Sequence, residues 1–378
     1  MGRSLQIVSF FSFVLTVWLL FHLYVGWRLW PLIHGNSGHR ILLLVLALGF
    51  VLYPAGRILG HNGWTTLGWL LEYLGAVWMG SLMLLVPALA VIDTVTLFGL
   101  VLKAWVIPLR FGAAAVALVL AGLAWLGGVV APRTVDIEVE MANLPAAADG
   151  LVVVQLSDLH LGSLIGFRRL ASVISRIEGM RPDVVVITGD LIDSDAESVE
   201  PLVPLMGRLT APLGVYSILG NHDIYAGAEG SIGFMRRAGF HVLDGSAAEI
   251  TPGLWVAGIP DGARGWGNSG PRRLFEQAMA QVEPGAAVIY LQHASGNEQA
   301  IAAAGVGLML DGHTHGAQIW PAHYLVRRVF PHLSGVRRVG NMTQVVCRGA
   351  GQWGPPMRLF APSEIYRITL RSPTVNHR

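Results

Sequence analysis

LVVVQLSDLHLG, residues 151–162, runs from a mostly apolar stretch into Asp158-Leu159-His160. The same arrangement recurs in VVVITGD (184–190), VYSILGNHD (215–223), AVIYLQH (287–293) and VGLMLDGHTH (306–315). A short apolar run bounded by glycine and polar residues reads as a strand buried on both faces. LWVAGI (254–259) is a further run of this kind without the polar ending, and helical patterns occupy Phe167 to Met180 and Pro271 to Val282. Strands alternating with helices argue for an α/β domain, and in such domains functional groups gather beyond the carboxyl ends of the strands. The polar clusters stand at those ends.

Upstream, Val135, Ile137, Val139 and Met141 alternate with Asp136, Glu138 and Glu140, the period of a half-buried strand. This places the start of an aqueous domain at residue 133, running to 378. Residues 1–132 differ in character, with only Arg3, Arg28, Arg40, Arg57, Lys103, Arg110, Glu72 and Asp93 charged up to position 131. The whole chain of 378 residues is 53% hydrophobic and 13% charged, too apolar for an ordinary soluble protein. Ser4 to Val25, Ile41 to about Pro54, Thr66 to Ile92 and Phe111 to Ala131 each read as a membrane span, giving about four transmembrane helices. TVTLFGLVL (94–102) extends the third helix or lies along the interface. The first run is longer than the apolar core of a signal peptide and lacks a small-residue cleavage site, so it reads as retained.

A net charge of +2, with no basic run interleaved with aromatics, gives no footing for nucleic acid. The single cysteine, Cys347, reads as a small buried hydrophobe. Glu72 falls early in the third span and reads as an interfacial residue; paired broken helices of the transporter kind are not evident. The paired arginines 168–169, 327–328 and 337–338 are weaker candidates for anion binding.

The clusters combine carboxylate oxygen, amide oxygen and imidazole nitrogen without thiolate, a donor set for Mn, Fe, Zn or Ni. Any one of them alone reads as a capped turn or a hydrogen-bonded histidine. Of the 13 histidines, His160, His222, His293, His313 and His315 all follow apolar runs able to serve as rigid strands, so one shared site is the economical reading. Asp193 and Asp195, in LIDSDAES, read as caps of a helix starting near Ala196.

In order and spacing these clusters resemble the calcineurin-like metallophosphoesterases over about residues 133 to 371. SDLHLG (157–162), GHTHGAQ (312–318) and GQWGPPMRL (351–359) are similar to the bacterial membrane-associated or exported phosphodiesterases of that family. Ala317 departs from the glycine common there. The resemblance implies a four-layer α/β/β/α sandwich and two divalent metal ions, the first held by Asp158, His160 and His315. The second would be held by Asn221, His293 and His313, with Asp190 bridging. His222 would approach the phosphoryl group, and Asp223 would orient its ring.

Two such ions would supply a water of lowered pKa and hold phosphoryl oxygens for in-line attack, as the resemblance implies. His222 would stabilise the phosphoryl charge or protonate the departing alkoxide. The expected function is a membrane-anchored phosphohydrolase, favouring a phosphodiesterase acting on a lipid-linked or cell-envelope phosphate ester. The alternatives are a nucleotide-directed phosphodiesterase or phosphomonoesterase, or a non-catalytic scaffold or sensor. The positive-inside rule narrowly places the catalytic domain on the extracytoplasmic face of the cytoplasmic membrane.

Overall fold

The structure is a computed structural model and describes residues 3–162, 164–193, 195–262 and 269–373. The chain divides into two compact units. One comprises residues 1–129 with Gly354–Leu359, and the other Val130–Trp353 with residues 360–378.

The first unit is built on helices α1 (Arg3–Leu29), α2 (Gly35–His61), α3 (Thr65–Val95) and α4 (Val106–Val129). All four are long and apolar enough to cross a membrane. α1, α2 and α3 extend past their expected apolar runs at both ends, whereas α4 starts at Val106 and stops at Val129, short of Ala131. Small residues let α2 and α3 approach backbone to backbone. A Cβ on Gly56 would stand 2.2 Å from the Glu72 nitrogen, and one on Gly75 2.3 Å from the Tyr53 nitrogen. Glu72 is buried there and pairs with Arg57 of α2 at 3.2 Å, so the expected solitary interfacial carboxylate has a partner base in another helix. Residues 94–102 do not continue α3 as one helix, and a short 3-10 turn, Leu97–Gly99, lies within them. α3 stops at Val95, and Leu97, Phe98 and Leu102 take left-handed backbone conformations on the way to α4.

Gly354–Leu359 belongs to this helical unit although it lies far along the chain. The Arg358 amide donates to the Ala124 carbonyl at 2.7 Å, and Met357 and Leu359 are buried. Gly80 and Gly128 leave the room, since a Cβ on either would meet Met357 Sδ or the Pro356 carbonyl oxygen.

The second unit carries two six-stranded sheets. The strands are β1 (Arg133–Glu140), β2 (Val152–Leu156), β3 (Val184–Ile187), β4 (Val215–Ser217), β5 (His241–Val242), β6 (Ser246–Thr251), β7 (Leu254–Gly258), β8 (Ala287–Leu291), β9 (Leu308–Asp311), β10 (Gly335–Val339), β11 (Met342–Val346) and β12 (Glu364–Arg371). The orders are β1-β12-β2-β3-β4-β5 and β10-β11-β9-β8-β7-β6. Val153, Val186 and Ile368 of the first sheet meet Val256, Ile289 and Leu310 of the second in one core between the sheets. On the outer face of the first sheet, Leu170, Val173, Ile174 and Ile177 of the helix Phe167–Met180 pack against Val154, Leu156 and Val185. On the outer face of the second, Phe275 and Ala278 of the helix Ser269–Met279, with Ile301, cover Val288, Tyr290 and Met309. These are the four layers α/β/β/α. β2, β3 and β4 run parallel, as do β7, β8 and β9, so five loops that carry polar clusters leave the sheets in the same sense.

Candidate metal centre

Three of the five strands that end in a polar cluster turn abruptly soon after their last residue. Asp158 and His160 after β2, Asp190 after β3, and His313 and His315 after β9 all have φ between 50° and 70°. Non-glycine residues enter this left-handed region at a cost of roughly 1–2 kcal/mol each, and clusters of them mark sites where geometry outranks local stability. Two glycines make the crowding possible. A Cβ on Gly189, at φ 90°, would stand 2.6 Å from His293 Nδ1, and one on Gly220 would collide with the Asp190 carboxylate.

The result is two adjoining sets of donors. Asp158, His160 and His315 offer ligand atoms within 4.8 Å of one another, and so do Asp190, His293 and His313. Asp190 stands between the sets, its Oδ2 3.1 Å from His293 Nε2 and 3.7 Å from His160 Nε2. Its other oxygen accepts from the His222 amide at 2.8 Å. Asp158 accepts from the His313 amide at 3.0 Å and from Ser157 Oγ at 2.5 Å, which fixes its carboxylate in the plane of the site.

A divalent cation fits these residues. Asn221 Oδ1 is buried with no hydrogen-bond partner among the described residues, an acceptor left for something other than protein. The Nε2 atoms of His160 and His315 face each other at 3.0 Å, and His313 Nδ1 lies 3.2 Å from His293 Nε2. Imidazole nitrogens at this separation can also ligate one cation together. Two of the remaining ring nitrogens are already engaged, His293 Nδ1 with the Thr188 carbonyl at 2.7 Å and His160 Nδ1 with Asp193 Oδ1 at 3.2 Å. Such contacts set the ring orientation that a ligand needs.

Charge is concentrated accordingly. Burial alone would raise Asp190, yet the neighbouring His293, His160 and His222 rings hold its carboxyl well below the usual range. Burial pushes Asp158 the other way, above the ordinary carboxylate value, against the pull of His293 and His160.

The structure brings together Asp158, His160, Asp190, Asn221, His222, His293, His313 and His315. It changes the surroundings of two residues. Asp223 does not meet the His222 ring; its carboxylate accepts from the amides of Gly220 (2.8 Å), Ile192 (2.8 Å) and Leu191 (3.3 Å). Burial and the nearby Asp190 charge push this carboxyl up to about 7, despite the amides. The ring is held instead by Asp193, whose Oδ1 is 2.8 Å from His222 Nδ1. Of the two aspartates read as caps, Asp195 does cap, accepting from the Ser198 amide at 2.9 Å, while Asp193 points into the site. Its place three residues after Asp190 on the same loop was the available signal.

Gln318 and Trp353 complete one wall. Gln318 grips the Trp353 backbone through two hydrogen bonds, at 2.9 and 3.0 Å, and the indole lies edge-on to His222 at 5.6 Å between ring centroids. Arg169, one of the arginines weighed for anion binding, donates to the carbonyls of Val130 and Ala350. Arg337 pairs with Glu298 at 3.0 Å.

Residues 151–316 match the family model for the calcineurin-like phosphoesterases. An uncharacterised metallophosphoesterase of Aquifex aeolicus is 32% identical over 241 residues, covering 62% of this chain and 89% of its own. A protein of Danio rerio described as a transmembrane protein with metallophosphoesterase domain is 34% identical over 251 residues, covering 64% of this chain and 57% of its own. The matched family is one of phosphoester hydrolases, and the donors at the strand ends of this four-layer sandwich could hold a metal ion. The chain belongs to the calcineurin-like metallophosphoesterase family.

Proposed function

We propose that this chain is a membrane-anchored phosphodiesterase that hydrolyses a lipid-linked or cell-envelope phosphate ester at a centre of two divalent metal ions. The observation that carries the reading is Asp190 set between two donor groups, Asp158–His160–His315 and His293–His313. In it, Asp158, His160 and His315 hold one ion, Asn221, His293 and His313 the other, and Asp190 serves both. Ions bound there would supply Lewis acidity and an activated water. The chain's own residues do the rest. His222, with Nδ1 fixed by Asp193, presents Nε2 to a phosphoryl oxygen or to the leaving oxygen. Proton transfer from a ring so positioned contributes typically about 10²- to 10⁴-fold. Asp223 fastens the loops after β3 and β4 together, which keeps Asp190, Asn221 and His222 in register.

The preference for a lipid-linked ester rests on the four apolar helices. In this reading the hydrolase unit lies on the extracytoplasmic face of the cytoplasmic membrane. Arg28, Arg40, Lys103 and Arg110 stand at the helix ends assigned inside, against Arg3, Arg57 and Arg133 at the other ends.

The test uses full-length protein in detergent. Metal content is measured beside rates on bis(p-nitrophenyl) phosphate, p-nitrophenyl phosphate, a cyclic nucleotide and phospholipid vesicles. Metal-dependent diester hydrolysis with preference for the vesicles is expected. Hydrolysis indifferent to chelation would overturn the metal centre, and preference for the nucleotide would overturn the lipid substrate.

A further inference from the structure

Two arginines and one aspartate meet inside the helical unit, at the end where α1 and α3 finish and α4 begins. Asp93 Oδ2 is 2.6 Å from Arg28 Nε and accepts from Tyr24 Oη at 2.7 Å, while Oδ1 accepts from Arg110 Nη2 at 3.0 Å. Arg28, Asp93 and Arg110 are 3%, 1% and 6% exposed. The carboxylate is thus shared between two guanidinium groups, and one positive charge is left over.

Donors are left over as well. Arg28 Nη2 and Arg110 Nε are buried and make no hydrogen bond among the described residues. A buried cation with unsatisfied N–H groups is unfavourable until an anion with several acceptor oxygens meets it, and the guanidinium fork matches phosphate. The site's rim is apolar. The Arg28 guanidinium carbon lies 3.3 Å over the Trp27 ring centroid and 5.6 Å from that of Phe98. Trp27, Phe98, Leu100 and Trp105 are all largely exposed at this end of the helices. Aromatic side chains so placed occupy the headgroup level of a bilayer. Arg40 and Lys103 add exposed positive charge at the same end, favourable beside anionic lipid.

We propose that Arg28, Arg110 and Asp93 form a binding site for the headgroup phosphate of an anionic phospholipid, separate from the metal centre. Asp93 holds the two guanidinium groups in place, and the lipid phosphate takes the donors it leaves. Phe98 and Trp27 cover the glycerol end.

The experiment uses the full chain in nanodiscs of phosphatidylglycerol and phosphatidylcholine, with retained lipid counted by native mass spectrometry after release. Wild type should keep phosphatidylglycerol, and Arg28→Gln or Arg110→Gln should lower its retention roughly tenfold, the value of one charge-assisted contact. Arg28→Lys, which keeps the charge and loses the planar fork, should also lower retention and provides the test if a glutamine variant unfolds. Unchanged lipid retention in the folded arginine variants would overturn the site. If millimolar inorganic phosphate displaces the phosphatidylglycerol from wild type, the site serves a soluble anion and the lipid assignment fails.

Discussion

Asp193 Oδ1 lies 2.8 Å from His222 Nδ1, and the same oxygen reaches His160 Nδ1 at 3.2 Å. One carboxylate therefore orients both a proposed metal ligand and the ring proposed to face the phosphoryl group. Its pKa is held low by the two rings in spite of burial, so it remains an acceptor. Asp193→Ala is expected to reduce kcat about 10- to 100-fold and to weaken metal binding. Steady-state rates at saturating metal, with metal titrations, check both; wild-type values for the two would remove Asp193 from the site.

Asp190→Asn and His222→Ala should fail differently. The first takes charge from the residue between the donor sets and is expected to lose metal and turnover together. The second should keep its metal and lose about 10²- to 10⁴-fold in turnover. Elemental analysis of purified variants separates them, and a metal-free His222→Ala would show that His222 is a ligand.

Chelation should lower the melting temperature of the hydrolase unit by several degrees. A ligand present at about 100 times its Kd stabilises by about 2.7 kcal/mol, and in a domain of this size each kcal/mol moves Tm by about 2–4 °C. Scanning calorimetry with chelator, then with Mn, Fe, Zn or Ni restored, makes the comparison. The same Tm in all conditions would argue against a resident cation.

A chain beginning at Arg133 keeps every proposed ligand yet loses the helices around Gly354–Leu359. Met357 and Leu359, buried in the full protein, would then be exposed. We expect it to hydrolyse soluble diesters in detergent, to aggregate without detergent, and to be rescued by Met357→Ser with Leu359→Ser. Size-exclusion chromatography decides, and a monodisperse unsubstituted chain in plain buffer would contradict the expectation.

Alkaline phosphatase or a fluorescent protein that matures only in the cytoplasm, fused after Arg378, tests sidedness. Active phosphatase with a dark fluorescent fusion is expected. A bright fluorescent fusion with inactive phosphatase would reverse the topology.

The buried parallel strands β2, β3, β8 and β9 were legible because strands covered on both faces are predominantly apolar. β5, with two residues, and β10, an edge strand with the adjacent arginines 337 and 338 at its centre, carry no such run. Asp158, His160, His293, His313 and His315 were legible from their place at strand ends. Asp193 was hidden by a stronger local reading, since the serine- and aspartate-rich LIDSDAES looks like a helix start and does contain one, capped by Asp195. Nor could residues 24, 28, 93 and 110 be seen as a group, because their meeting depends on how three helices pack. The lodging of Gly354–Leu359 among the helices is likewise tertiary, made possible by glycines more than 200 positions earlier in the chain.

Asp158, His160, Asp190, His313 and His315 each sit in a backbone conformation that glycine or asparagine would occupy more comfortably. Heat resistance and turnover therefore pull these five positions in opposite directions. A library of this chain screened only for survival at high temperature, with metal withheld, should drift toward glycine and asparagine there. Its fittest members would be robust sandwiches with no reaction to perform.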